Sequence, residues 1–212
     1  MGCNNAWKNL MPISKQYKNA LIVITHPDST SLSHQIANHI AKHLTHEGVS
    51  VEVADLHKED FKSAITIADL GAYRGQQVVG PDIVSEQARF DRADIVYFVF
   101  PIYWWSVPAM LKGWFDRVFT LGWAYKIDDQ GRLTGELKNI PVKLIATGTG
   151  DKAGYDKHGY TQAIQTQIVE GIFGFCGLHD VQTSVLYGAD FIQADGLQDF
   201  FNQLDQDILA IK

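Results

Sequence analysis

The chain has 212 residues, of which 46% are hydrophobic and 20% charged, with a formal net charge of −6 at pH 7. That length and apolar content suffice for one domain whose central sheet is covered on both faces, and the negative balance argues against nucleic acid or an anionic membrane surface as partner. Two isolated cysteines, Cys3 and Cys176, offer neither a disulfide framework nor a CxxC site, which suits a reducing, cytoplasmic location.

Residues 1–18 read as a polar lead-in and residues 19–212 as a single domain. The start lacks an apolar signal core, and Met1-Gly2-Cys3-Asn4-Asn5-Ala6 lacks the Ser or Thr of a myristoylation signal. Ala20 to Thr25 is a short continuous apolar run, as expected of a strand buried on both faces. Leu32, Ile36, Ile40 and Leu44 then recur every four residues with Ala37 and Ala41 alongside, predicting a helix that Gly48 stops. Val49 to Asp55 alternates as a second strand, and residues 56–80 show no clear period and read as a surface excursion. A helix over Asp82 to Arg92 leads into Asp94 to Phe100, the most apolar strand and hence the central one. Pro108 suits the first turn of a helix through Leu111, Trp114, Phe115 and Val118, with Gly122 expected to end it. The stretch from Ile95 to Leu111 is broken by Pro101, Ser106 and Pro108 and is too short to span a bilayer. Asp128 to Asn139 reads as a loop or small hairpin, followed by strand Val142 to Thr147, a helix over Thr161 to Phe173, strand Val181 to Tyr187 and a terminal helix.

Strict alternation of five strands and five helices implies a doubly wound parallel sheet, and the expected architecture is the three-layer, flavodoxin-like one with strand order 2-1-3-4-5 and helices on both faces. Ligands of such sheets bind beyond the carboxyl ends of the strands, where the strand order reverses. Three loops meet there.

After the first strand, Thr25-His26-Pro27-Asp28-Ser29-Thr30-Ser31-Leu32-Ser33 places hydroxyls and an imidazole at a helix N-terminus. Such a place welcomes a phosphate, and the same residues equally make a plain helix cap. No Lys follows in P-loop spacing, which excludes a nucleoside triphosphate loop. After the third strand, Pro101-Ile102-Tyr103-Trp104-Trp105-Ser106-Val107-Pro108 puts three aromatic residues in a proline-bracketed turn, able to define the plane of a flat heterocycle. The alternative is core packing. After the fourth, Thr147-Gly148-Thr149-Gly150-Asp151-Lys152-Ala153-Gly154-Tyr155 can aim backbone N–H groups at a ring edge where negative charge develops. Its GxGxxxG spacing and its place after the fourth strand exclude a Rossmann dehydrogenase. The bland reading is a flexible surface loop. His34, His39, His43 and His46 lie on or near one helix, and His39 with His43 has a spacing that could share a metal. There is no HExxH, the four flank the apolar stripe, and a solvated face without metal is expected. Cys176 reads as a packed small residue.

Asp82 to Gln87, Ala93 to Val96 and the long run Phe100 to Phe119 resemble the NAD(P)H:quinone oxidoreductases, the DT-diaphorase-like family of flavodoxin-like flavoproteins, and the resemblance covers most of residues 20–188. It implies a homodimer with FAD, or FMN as in bacterial relatives of this length, and two-electron ping-pong transfer of hydride from NADH or NADPH through the flavin to a quinone. By motif match, His26, Thr30, Ser31, Leu32 and Ser33 would hold the flavin phosphates, and Pro101, Ile102, Tyr103, Trp104 and Trp105 would line the ring. Thr147, Gly148, Thr149 and Gly150 would sit near its pyrimidine edge. Tyr155 matches a family tyrosine that stabilises charge at the reacting centre; His158 stands closer to it than the family histidine would. Trp123-Ala124-Tyr125 resembles the segment that reaches the partner's site. The family also implies two alternatives: an azo- or nitro-reductase using the same site, and an ancillary regulatory subunit bound to a potassium efflux system in the membrane.

Overall fold

The computed structural model describes residues 16–209. The expected lead-in falls largely outside them, as does Cys3, but Tyr17 at its end is buried against the core. Among the described residues no helix is long and apolar enough to cross a membrane.

Five strands form the parallel sheet: β1 (Asn19–Ile24), β2 (Ser50–Asp55), β3 (Ile95–Pro101), and then β6 (Val142–Gly148) and β7 (Val181–Tyr187), which follow a two-stranded hairpin of β4 (Tyr125–Ile127) and β5 (Leu133–Gly135). The sheet order is β2-β1-β3-β6-β7, the predicted order with the hairpin left out. β3 and β6 are buried at every position, as strands covered on both faces must be.

Two apolar cores flank the sheet. On one face α1 (Leu32–His46) turns Ile36, Ile40 and Leu44 onto Ile22, Ile24, Tyr97 and Val99, and the terminal helix α7 (Ala194–Leu209) adds Leu204 and Ile208. On the other, α3 (Pro81–Arg92) and α4 (Ala109–Val118) bring Ile83, Phe90, Leu111, Trp114 and Phe115 against Leu21, Val96 and Phe98. Fully burying each such side chain is worth about 1.5–3 kcal/mol, which is why the periodicity of these segments decides their orientation. Gly48 takes φ +83° just past α1, where the sequence expects a stop.

Three expectations are corrected. The excursion over 56–80 contains a helix, α2 (Ile67–Tyr73), started by a capping box in which Thr66 and Asp69 exchange side-chain-to-backbone hydrogen bonds. α4 ends at Val118, short of Gly122, because Phe119 leaves helical geometry to pack its ring edge-on to Phe90 and Trp114. The helix expected over Thr161 to Phe173 is composite. Gly159 (φ +72°) separates α5 (Lys152–His158) from α6 (Tyr160–Ile164), and residues Gln165–Gly174 continue as a wide π-helix that still aims Ile168 and Phe173 at the core.

Arg117, 6% exposed at the end of α4, ties the excursion down. Its guanidinium donates to Asp69 of α2 (3.0 and 3.3 Å) and to the Lys62 carbonyl (2.6 Å), pairs with Asp82 of α3 (3.0 Å) and lies over the Phe61 ring. Nearby, a side chain at Gly113 would put its Cβ 2.1 Å from the Ser63 carbonyl oxygen, so only glycine lets loop and helix meet.

Candidate functional site at the strand ends

Register sets the site. Ile24 pairs with Val99, and Pro101 pairs with Thr147, so His26, Pro101 and Thr147 emerge at one level beyond the ends of β1, β3 and β6. Between them lies a cleft of about 330 Å³ lined by His26, Leu32, Ser33, Pro101, Ile102, Tyr103, Thr147 and Thr149, together with Ala189 and Asp190. The Ile102 N–H donates to the Thr147 carbonyl (2.8 Å), locking the second loop to the third.

The first loop is preorganised by its own polar groups. The Thr30 N–H and hydroxyl both donate to Asp28 Oδ1 at 2.8 Å, and these bonds, backbone first, hold the Asp28 carboxyl below its usual range. His26 Nδ1 meets both the Asp28 N–H (3.0 Å) and the Asp28 carbonyl oxygen (3.2 Å), which fixes the ring with Nε2 turned away from these contacts. Ser31 caps α1, accepting from the His34 N–H. Thr30 and Ser31 thus lie outside the cleft lining, with their hydroxyls engaged within the loop and the first helical turn. Ser33 differs: it is 1% exposed, it lines the cleft, and its Oγ has no hydrogen-bond partner, as is also true of the neighbouring Thr25 hydroxyl. An orphaned buried hydroxyl costs about 1–3 kcal/mol unless something fills its hydrogen bond. With the N–H groups of Leu32 and Ser33, which have no acceptor within the helix, it makes a donor set for an anion.

Of the second loop, Pro101, Ile102 and Tyr103 line the cleft, whereas Trp104 and Trp105, expected there as well, lie outside its lining and store strain. Tyr103 and Ser106 exchange both backbone hydrogen bonds at 3.1 Å, and the two residues between them, Trp104 (φ +48°) and Trp105 (φ +58°), are left-handed. Such a two-residue turn favours Asn-Gly, and a bulky residue there costs about 1–2 kcal/mol. Trp105 recovers part by stacking on Tyr160 with centroids 4.4 Å apart, whereas Trp104 is 88% exposed. Strain of this kind collects at functional sites. The Trp104→Asn variant is therefore expected to melt later, by about 0.5–1 kcal/mol of stability, while binding planar aromatic ligands more weakly; a calorimetric melt no higher than wild type would contradict the strain.

The third loop packs against Tyr155, which is buried and lies outside the cleft lining. A Cβ on Gly148 would lie 2.9 Å from the Tyr155 hydroxyl and one on Gly150 3.1 Å from its ring, so both glycines serve close approach of this phenol. Burial, and then the charge of the neighbouring Tyr187, push the Tyr155 hydroxyl above its ordinary value of 10.0, which keeps it protonated at neutral pH. His158 is exposed on the last turn of α5, its ring stacked on Tyr160 at 5.5 Å and outside the cleft lining.

A fourth segment went unread in the sequence. The turn after β7 is joined to the third loop by the Gly188 N–H to the Gly150 carbonyl (3.0 Å) and by the Thr149 hydroxyl to Asp190 (3.1 Å), and it closes one side of the cleft. Its signal was available: β7 lies next to β6, so the residues after it border the same edge.

Away from these loops, Tyr73, Tyr125, Ile127, Leu133 and Phe175 line an apolar hollow of about 410 Å³. Trp123 stands beside Tyr125 in sequence but is held within its own chain, its indole donating to Asp91 (3.1 Å). His39 and His43 both turn to one oxygen of Asp205 (2.8 and 3.0 Å), joining α1 to α7. No cluster suited to a metal ion occurs among the described residues. Burial pushes the Cys176 thiol up to about 11, so it is inert packing.

Comparison with known proteins gives a consistent result. Residues 18–208 match the family model described as flavodoxin-like fold. The chain is 32% identical over 190 residues to NAD(P)H dehydrogenase (quinone) 1 of Cavia porcellus, covering 81% of this chain and 69% of that protein. A putative quinone reductase from Klebsiella pneumoniae superimposes with a TM-score of 0.81 at 27% identity, over 90% of this chain and 83% of that one. An FMN-dependent NADH-azoreductase from Bacillus anthracis, solved with FMN, shares the fold at a TM-score of 0.70 and 19% identity, over 90% of this chain and 98% of that one.

Proposed function

The chain belongs to the flavodoxin-like fold family and, within it, to the NAD(P)H:quinone oxidoreductases, and from that premise we propose that its cleft binds a flavin and passes reducing equivalents from NADH or NADPH to quinones. The observation that carries this reading is the make-up of the cleft: an orphaned Ser33 hydroxyl and a helix start together with Pro101, Ile102 and Tyr103 and the Thr147 and Thr149 segment, behind which Tyr155 packs against Gly148.

Each residue then has a task. The N–H groups of Leu32 and Ser33, the Ser33 hydroxyl and the His26 ring hold the phosphate end without a lysine or arginine. Pro101, Ile102 and Tyr103 define the plane of the ring, and the Thr147–Gly150 turn meets its polar edge. The Tyr155 hydroxyl, protonated at neutral pH, is a donor held close to that edge. Bound flavin would supply the two-electron redox chemistry itself. Nicotinamide and acceptor use the same open face in turn, a ping-pong order to which one shared cleft at the strand ends is suited. We take the flavin to be FAD, with FMN the alternative.

The apolar hollow around Tyr125, Ile127 and Phe175 seats a second copy of the chain, because its rim exposes Tyr73, Ile127, Leu133 and Phe175 by 41–56%. A monomer at micromolar concentration in sedimentation velocity would remove that part. The free, buried Cys176 supports a reducing cytoplasm as the working compartment.

The test is a visible absorption spectrum of the purified protein, repeated after NADH or NADPH and again after a simple quinone. The expected result is a flavin spectrum that bleaches with nicotinamide and returns with quinone, after which the released cofactor decides between FAD and FMN. A protein that neither carries nor takes up a flavin refutes the proposal.

A further inference from the structure

Behind the phosphate loop runs a chain of polar contacts that the reading above does not use. His34, in the first turn of α1, places Nδ1 3.0 Å from the Ser31 hydroxyl and Nε2 3.0 Å from Oδ2 of Asp55, the last residue of β2. Both ends are largely shielded, with His34 and Asp55 side chains 12% and 16% exposed. The groups facing the imidazole are few. From the loop after β1 come His26, whose ring meets it edge-on at 6.4 Å, and Asp28; from β2 comes Asp55, whose carboxylate also accepts from the backbone N–H groups of His57 and Lys58 in the following turn.

The hydrogen-bond inventory of these atoms allows two states. Asp55 is held below the usual carboxylate range: burial opposes this, but the His34 bond and the N–H groups of the following turn outweigh it. It therefore accepts, and His34 Nε2 must carry a proton. If His34 is neutral, Nδ1 is a bare lone pair and takes the Ser31 hydroxyl proton, so that this hydroxyl is spent inside the protein. If His34 is protonated, Nδ1–H donates to Ser31 Oγ, and the Ser31 O–H is released to turn toward an anion at the helix start. The positive charge arrives together with the freed donor.

We propose that His34 is a positioning residue that couples phosphate-end affinity to its own protonation, through Ser31 on one side and Asp55 on the other. The proposal rests on the flavin reading above. Protonated His34 binds the anion better, so affinity is greater in acid than in alkaline solution. The loop contains no lysine or arginine that would mask the change. One charge-assisted hydrogen bond corresponds to about a tenfold difference in affinity, or 1.4 kcal/mol.

The experiment titrates FAD and FMN into the full-length protein, freed of its flavin, at pH 5.5 to 8.5, reading flavin fluorescence for wild type and His34→Gln. Glutamine presents its amide nitrogen to Asp55 in place of Nε2 and cannot gain the charge. Wild type is expected to bind about tenfold more tightly than the variant at pH 5.5 and within about twofold of it at pH 8.5. The second ionisation of the FMN phosphate, near pH 6, acts on both proteins and cancels in their ratio. Ser31→Ala, which leaves the imidazole–carboxylate pair intact, is expected to lose most of the same low-pH gain, and it serves as the test if the glutamine variant does not fold. Wild-type and variant profiles that run parallel across the range overturn the proposal and leave the flavin reading standing. No flavin binding at any pH overturns both.

Discussion

Replacing Arg117 with methionine is expected to lower the stability of the folded chain by about 3–5 kcal/mol, the usual cost of removing one member of a buried ion pair. Methionine fills much of the same volume, so the loss is electrostatic. Asp69, 7% exposed, would be left as a buried carboxylate with only its Thr66 cap, and the Lys62 carbonyl would lose its donor. For a chain of this length such a change lowers the melting temperature by about 10 °C. The pH dependence gives a second readout. Burial alone would raise the Asp69 pKa, but the bonds from Arg117 and Thr66 bring it below its ordinary 3.8. A carboxyl with a depressed folded pKa contributes stability above its unfolded value and loses it as pH falls through the folded one. Wild type should therefore lose stability steadily below about pH 4. In Arg117→Met the burial contribution dominates, that share of the acid loss disappears, and the double variant Arg117→Met with Asp69→Leu recovers much of the deficit. A single variant that melts within 2 °C of wild type would mean that the excursion is held by its apolar contacts instead.

What the sequence discloses and what it hides divide along a physical line. Features carried by the period of apolar residues are legible: Ala20 to Thr25 and Asp94 to Phe100 read as strands covered on both faces, and Leu32 to Leu44 as an amphipathic helix. From that alternation the sheet order followed, and from the order the three loops. Features carried by specific geometry were not. α2 hides in an aperiodic stretch, although Thr66-x-x-Asp69 is a capping box that spacing alone could have found. The left-handed pair Trp104 and Trp105 contradicts turn preference, so no propensity argument could predict it. The widening of the helix after Gln165 has no evident signal beyond Gly171 and Gly174 within it. The Asp55–His34 contact spans 21 positions and exists only because β2 lies beside β1. Within the loop after β1 all hydroxyls look alike in the sequence. The structure separates Thr30 and Ser31, whose hydroxyls bond Asp28 and His34, from Ser33, whose buried hydroxyl has no partner.

Tyr155 carries the largest functional prediction. Its ring is clamped by Gly148 and Gly150 from above and lies edge-on to Tyr160 and Tyr187, so removing the hydroxyl alone leaves the packing in place. Tyr155→Phe is therefore expected to fold, to retain its flavin, and to lose turnover by about 100-fold, the scale of one preorganised donor at a site of developing charge. The loss should fall on kcat more than on KM, because the bond is worth most when negative charge has built up. It should also be flat with pH across the neutral range: burial and Tyr187 both raise the phenol pKa, so the donor stays protonated where the enzyme works. That flatness separates the role of Tyr155 from that of His34, whose variant is expected to change flavin affinity with pH. Steady-state kinetics with a saturating quinone, alongside the flavin-to-protein absorbance ratio, decides the point. Turnover within a factor of three of wild type at full flavin occupancy would strike Tyr155 from the catalytic residues and leave the backbone N–H groups of the Thr147–Gly150 turn as the donors at that edge.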